Sequence, residues 1–160
     1  MTYEIVLVSA CLLGVSCRYD GSHAWCPEVF DELWHSHFIP VCPEQLGGLG
    51  TPRPPAVLDG GSGAEVLAGK ARVLTDQGED ITPAFRKGAE ETLRLARLAK
   101  AKKAIFKDRS PSCGCRSIHR REGLGQGVGV TAALLAKNGI QVFSEEMDPL
   151  VFWEEIDKRQ

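Results

Sequence analysis

Ile5-Val-Leu-Val-Ser-Ala-Cys-Leu-Leu-Gly-Val-Ser-Cys17 carries an apolar, β-branched run straight into two thiols. A parallel strand buried on both faces needs such a run, so Cys11 is expected just past a strand's carboxyl end. In open α/β sheets ligands bind at that edge. Two later stretches repeat the arrangement: Phe38-Ile-Pro-Val-Cys-Pro-Glu44 leads to Cys42, and Ala104-Ile-Phe-Lys-Asp-Arg-Ser-Pro-Ser-Cys113 leads to Cys113. If the three strands lie parallel in one sheet, three thiols distant in sequence collect at one edge.

The segments between these runs alternate with them. Pro27 to His37 has Pro at a first helical position and Val29, Phe30, Leu33 and Trp34 on one face, which predicts a short amphipathic helix. His35 and His37 would then answer that helix's terminal carbonyls. Cys26 matches no metal spacing and reads as structural. From Leu58 to Asp80 the pieces AEVLAG and ARVL predict a small β-hairpin covering the site. Thr82 is expected to cap a helix from Pro83 to about Ala101, with Phe85, Ala89, Leu93, Ala96 and Leu98 inward and its charged face solvated. A strand over Lys103–Lys107, a basic loop over Cys115–Arg121 and a Gly-rich run follow. The run enters a helix over Val130–Lys137, ended by Asn138-Gly139. A strand over Ile140–Phe143 and a closing helix over Pro149–Lys158 complete the chain. This alternation predicts one α/β domain over residues 1–160, a three-layer sandwich around a mostly parallel, Rossmann-like sheet.

Composition narrows the function classes. With a formal net charge of -2 and both signs scattered, nothing directs the chain to nucleic acid or an anionic membrane, and a small molecule is the expected partner. No apolar run approaches a membrane span and Met-Thr-Tyr-Glu lacks the basic start of a signal peptide, so a cytoplasmic protein is expected. Six cysteines in a reducing compartment point to metal binding or catalysis rather than to a disulfide framework.

Gly127-Val-Gly-Val-Thr-Ala132 matches the G-x-G-x-x-A form of a dinucleotide fingerprint, with Glu145 and Glu146 downstream. The context fails, because polar residues 119–126 and not a strand precede it. A loop delivering backbone N–H groups to a helix N-terminus, able to hold an anion, is what survives. Zinc would leave a close CxxC or CxxH pair, and the chain has only Cys11-x5-Cys17 and Cys113-x-Cys115. Three thiolates from three strand ends can instead hold a [4Fe-4S] cluster with one iron free of protein ligands. Arg53, on the stiff Thr51-Pro-Arg-Pro-Pro55 backbone, is a candidate to bind a carboxylate or phosphate of the substrate.

Several motifs in order, Ser9-Ala-Cys-Leu-Leu-Gly14, Cys17-Arg-Tyr-Asp-Gly21, Val41-Cys-Pro-Glu-Gln-Leu-Gly-Gly48, Arg109-Ser-Pro-Ser-Cys-Gly114 and Gly129-Val-Thr-Ala-Ala-Leu-Leu135, resemble the thiouracil desulfurase family over nearly the whole chain. The resemblance implies a [4Fe-4S] cluster on Cys11, Cys42 and Cys113, with Cys17 an alternative ligand. It also implies catalytic roles for Glu44 and Ser110, and removal of sulfur from a thiolated pyrimidine without redox chemistry. Ile118 is followed by His119-Arg120-Arg121 where the family pattern carries Tyr-Asp-Gly, a basic departure that would suit a nucleotide or other anionic thio-compound. Two other readings stand beside this one: a non-catalytic zinc or thiol redox module using Cys11, Cys17, Cys113 and Cys115, and a metal-free cysteine nucleophile.

Overall fold

The computed structural model of the chain describes residues 4–34 and 36–147. Strands β1 (Ile5–Ser9), β2 (His37–Val41), β5 (Lys103–Phe106) and β8 (Gln141–Ser144) form an all-parallel sheet in the order β2-β1-β5-β8. The apolar run at Ile5 explains the central place of β1. Val6, Leu7 and Val8 are fully buried, with Val6 and Val8 packing on one face and Leu7 on the other, as the period of two dictates. β2 takes the edge, where the missing N–H of Pro40 is tolerated. Helix α1 (Pro27–Leu33) packs Val29 and Leu33 against Val6, Val8 and Ile105. Helices α4 (Thr82–Ala99) and α5 (Val130–Lys137) cover the opposite face, meeting Leu7, Ala104 and Phe106 with Leu93, Ala96 and Leu135. The α/β sandwich around a mostly parallel sheet is thus observed.

A second sheet stands beside it. Strands β3 (Ala56–Asp59), β4 (Arg72–Thr75), β6 (Ser117–Arg120) and β7 (Gly123–Gln126) pair in the order β4-β3-β6-β7. The expected hairpin over Leu58–Asp80 is present as antiparallel β3 and β4, but AEVLAG between them is helix α3 (Gly63–Leu67). A capping box explains the difference, since Ser62 and Glu65 bond reciprocally at its start. The basic stretch read as a loop is largely β6, whose Ile118 points inward at 0% exposure to fill a core with Leu58, Val73 and Phe85. Gly123, Gly125 and Gly127 hid its partner β7, because glycines weaken the strand pattern.

Four smaller expectations are corrected. α1 stops at Leu33 because β2 starts pairing at His37 opposite Ile5, so His37 is a strand residue and not part of a last helical turn. Thr82 is itself helical: Asp80 accepts its N–H at 2.9 Å, while its hydroxyl accepts the Val73 N–H at 2.8 Å and ties α4 to β4. Leu98 is 76% exposed, because 3.6-residue periodicity turns it away from the face carrying Phe85, Ala89, Thr92 and Ala96. The N–H groups that open α5 are engaged within the protein and are not held for an anion. Val130 N–H donates to Pro111 O at 3.0 Å, and Thr131 and Ala132 N–H both donate to Ser112 O, at 2.9 and 3.1 Å. His35 and the closing helix expected over Pro149–Lys158 lie outside the described residues.

Candidate active site

Because the main sheet is parallel, Ser9, Val41 and Phe106 end at one edge, and each hands the chain to a segment bearing a thiol. Past β1, a 3-10 turn (Ala10–Leu13) places Cys11, and Gly14 at φ 91° reverses the chain toward Cys17. Past β2, Cys42 precedes the one-turn helix α2 (Pro43–Leu46), so Glu44 sits in that helix's first turn. Past β5, Asp108 is 3% exposed and its Oδ1 accepts the N–H groups of Arg109, Arg116 and Ser117. Those bonds close the loop that presents Ser110, Ser112 and Cys113. Three N–H donors outweigh the desolvation that burial imposes and hold the Asp108 carboxyl below its usual range.

These segments enclose a cavity of about 510 Å³ lined by the four thiols Cys11, Cys17, Cys42 and Cys113 together with Glu44, Arg53, Ser110 and Ser112. Residues Ala56 and Val57 of β3 and His119 of β6 line it from the second sheet. The fold therefore brings together Cys11, Cys17, Cys42, Cys113, Glu44 and Ser110, the residues of the iron–sulfur reading, but not Cys115 of the zinc reading. Cys26 and Cys115 do not line the cavity. The Cys26 thiol donates to Glu28 at 3.4 Å, and the Cys115 thiol is pushed up to about 12 by burial and then by the charges of Asp108 and Glu145.

The thiols crowd one another. Hydrogen bonding to Cys17 and then burial push the Cys42 thiol far up, and the Cys42 Sγ–H also donates to Cys17 O at 3.7 Å. Burial pushes the Cys113 thiol to about 12, against the lowering effect of the Ser9 and Ser112 hydroxyls. Hydrogen bonding to Cys11 and burial raise Cys17. Thiols packed this way stay neutral alone, and a soft cationic centre is the partner that would stabilise them as thiolates. Among the described residues no three His, Cys, Asp or Glu side chains converge as one metal ion requires. Four soft sulfur donors gathered around one cavity are the kind of set that an iron–sulfur centre selects.

Arg53, a candidate substrate ligand, lines the cavity but turns its guanidinium onto the protein. Its Nε–H donates to Glu44 Oε1 at 3.1 Å, one terminal nitrogen to Cys17 O at 2.9 Å, and the other to Gly50 O and Thr51 Oγ1 at 3.2 and 2.9 Å. Its side chain is 6% exposed and that of Glu44 14%. Ser112 escaped the sequence reading. It is 2% exposed, and its hydroxyl donates to Glu44 Oε2 at 2.9 Å. The alternation of serines in Ser110-Pro-Ser112-Cys113 was the signal that could have found it. Lys107 and Arg109 also line the cavity, paired to Glu145 at 3.6 Å and Glu146 at 2.7 Å.

Fold and site together define an α/β protein with a thiol-lined cavity at the carboxyl edge of a parallel sheet, with a buried carboxylate and serines in the same wall. The chain belongs to the 2-thiouracil desulfurase family, whose model matches residues 6–147. It is 44% identical over 144 residues to "Uncharacterized protein YbbK" of Bacillus subtilis (strain 168), covering 88% of this chain and 95% of that one. Among solved structures it is similar to the [4Fe-4S]-dependent thiouracil desulfidase TudS, with a TM-score of 0.78 and 39% identity over 94% of this chain and 97% of the other. No helix among the described residues is long and apolar enough to cross a membrane.

Proposed function

We propose that the chain removes sulfur from a thiolated pyrimidine of the thiouracil type, exchanging the thiocarbonyl sulfur for the oxygen of water and releasing hydrosulfide. The convergence of Cys11, Cys42, Cys113, Glu44 and Ser110 in one cavity, in a chain of this family, carries the proposal. Cys11, Cys42 and Cys113 would hold a [4Fe-4S] cluster, with Cys17 beside them as the alternative ligand. Held by three thiolates, such a cluster supplies a Lewis-acidic iron without a protein ligand, suited to the soft thiocarbonyl sulfur.

The protein's own groups do the rest. Glu44 is the general base: held from both sides by Arg53 and Ser112, its carboxylate accepts a proton from the water that attacks the ring carbon. The carbon–sulfur double bond gives way to a carbon–oxygen double bond. Both electron pairs of the broken bond leave with sulfur, which takes the second proton of the water and departs as hydrosulfide, so no oxidant or reductant is consumed. Ser110, fixed by the N–H groups of Ser112 and Cys113 at 3.2 and 3.1 Å, orders the polar wall facing the ring. Arg53 braces Glu44 instead of meeting the substrate. Residues Ala56 and Val57 line the cavity from the second sheet, and its volume suits a small-molecule occupant. All six cysteines are free, which suits the cytoplasm.

The test is anaerobic purification and reconstitution, iron and sulfide analysis, and an assay with 2-thiouracil and 4-thiouracil. About four iron and four sulfide per chain, with uracil and hydrosulfide formed in equal amounts, are expected. A fully reconstituted protein that leaves both substrates intact would overturn the proposal.

A further inference from the structure

We infer that Ser112 is a positioning residue that joins Glu44 and Ser110 into one hydrogen-bonded unit; the inference rests on the desulfurase reading of this cavity. Counting protons fixes the direction of each bond. The Ser112 hydroxyl has two acceptors in reach, Glu44 Oε2 at 2.9 Å and Cys113 Sγ at 3.7 Å, and its single proton goes to the nearer oxygen, since Glu44 as a carboxylate only accepts. The Ser110 and Ser112 hydroxyl oxygens are 3.0 Å apart. With its own proton committed, Ser112 can only accept there, and Ser110 donates. Ser110 Oγ in turn accepts two backbone N–H groups, from Ser112 and Cys113. Its one donor and both lone pairs are therefore used within the protein.

The chain of bonds runs from the backbone of the Cys113 loop through Ser110 and Ser112 to Glu44, and ends on the Arg53 Nε–H. Segments following two different strands are tied together across the cavity wall, since Glu44 follows β2 and both serines follow β5. The backbone cannot supply this link. Ser112 N–H goes to Ser110 Oγ and Ser112 O accepts from the first turn of α5, which leaves the hydroxyl as the group from this residue that meets Glu44. The site is also shaped closely around Ser112. A Cβ on Gly129 would lie 2.5 Å from Ser112 C and O, so the backbone under the serine is fixed.

Ser112→Ala removes the hydroxyl without adding bulk to this packed loop. A hydrogen bond to a charged group, lost from a buried site, is expected to lower kcat by about tenfold to a hundredfold, with KM and iron content close to wild type. Ser112→Ala added to Glu44→Gln should cost no more than Glu44→Gln alone, because the serine acts through the carboxylate. Crystal structures of wild type and Ser112→Ala give a readout independent of turnover: Glu44 is expected to leave its position while Cys113 keeps its own. Wild-type kcat in Ser112→Ala, full additivity in the double variant, or an unmoved Glu44 would each overturn the inference. Failure of the desulfurase reading shows elsewhere, as a wild-type protein that releases no hydrosulfide, and the position of Glu44 still decides the present question.

Discussion

Gly88 lies in the middle of α4, and a Cβ there would overlap Pro43 O and stand 2.9 Å from Pro43 C and 3.3 Å from Gly47 N. Gly47 has the reciprocal relation to the backbone of Ala84 in α4. The two helices touch backbone to backbone, and α2 is the turn that carries Glu44 directly after Cys42. In Gly88→Ala the overlap is with backbone, so no side chain can swing away, and α2 must retreat by about 1 Å to restore ordinary contact. Overpacking of this kind costs about 1–3 kcal/mol, while Ala in place of a mid-helix Gly restores about 1 kcal/mol of helix propensity. The net destabilisation is about 0–2 kcal/mol, a fall in Tm of up to about 8 °C for a chain of this length. Catalysis is the more sensitive quantity. A shift of about 1 Å breaks the geometry of the 2.9 Å Glu44–Ser112 bond, and a misplacement of that size is expected to cost about a hundredfold in kcat. Steady-state kinetics on the reconstituted variant, with iron content and thermal melting alongside, make the test, and Lys87→Ala on the exposed side of α4 is the control. Gly88→Ala with full iron content and wild-type kcat would show that the α2–α4 contact does not set the position of Glu44.

Cys11→Ala, Cys42→Ala and Cys113→Ala are each expected to lose the bound iron after anaerobic reconstitution, whereas Cys26→Ala, outside the cavity, retains it; full iron in any of the first three would move that ligand to Cys17. Glu44→Gln keeps shape and most hydrogen bonds but cannot accept the proton, so kcat should fall by about a hundredfold or more with cluster absorbance retained; turnover near wild type would remove Glu44 from the mechanism. Arg53→Ala leaves the Glu44 carboxylate without its ion pair and frees Cys17 O, so kcat is expected to drop by about tenfold or more while KM changes little; a rise in KM alone would return Arg53 to direct contact with the substrate.

The sequence by itself determined the central sheet and the edge where the chemistry lies. Runs such as Ile5–Ser9 and the Ala104, Ile105 and Phe106 of β5 put apolar side chains on both faces, and only a strand between two layers of helix buries both, so sheet and layers follow from local pattern. Cys11 and Cys42, close behind their runs, then need only parallel strands to reach a common edge, whereas Cys113 also needs the loop that follows Phe106. Helices α4 and α5 were equally legible, through a proline opening one and Asn138-Gly139 closing the other. Tertiary structure alone decided what each polar group does there. The β6–β7 half of the second sheet was hidden because β6 joins β3 through a single register pair, Leu58 with Arg120, and β7 is half glycine, so long-range pairing and not local propensity makes them strands. Arg53 read as a free cation on a stiff loop; the fold places it against Glu44 and Cys17 O, which lie 9 and 36 residues away in sequence. Ser112 met its carboxylate across 68 residues. A hydrogen bond depends on positions set by several elements at once, whereas the hydrophobic period of a strand is written in consecutive residues.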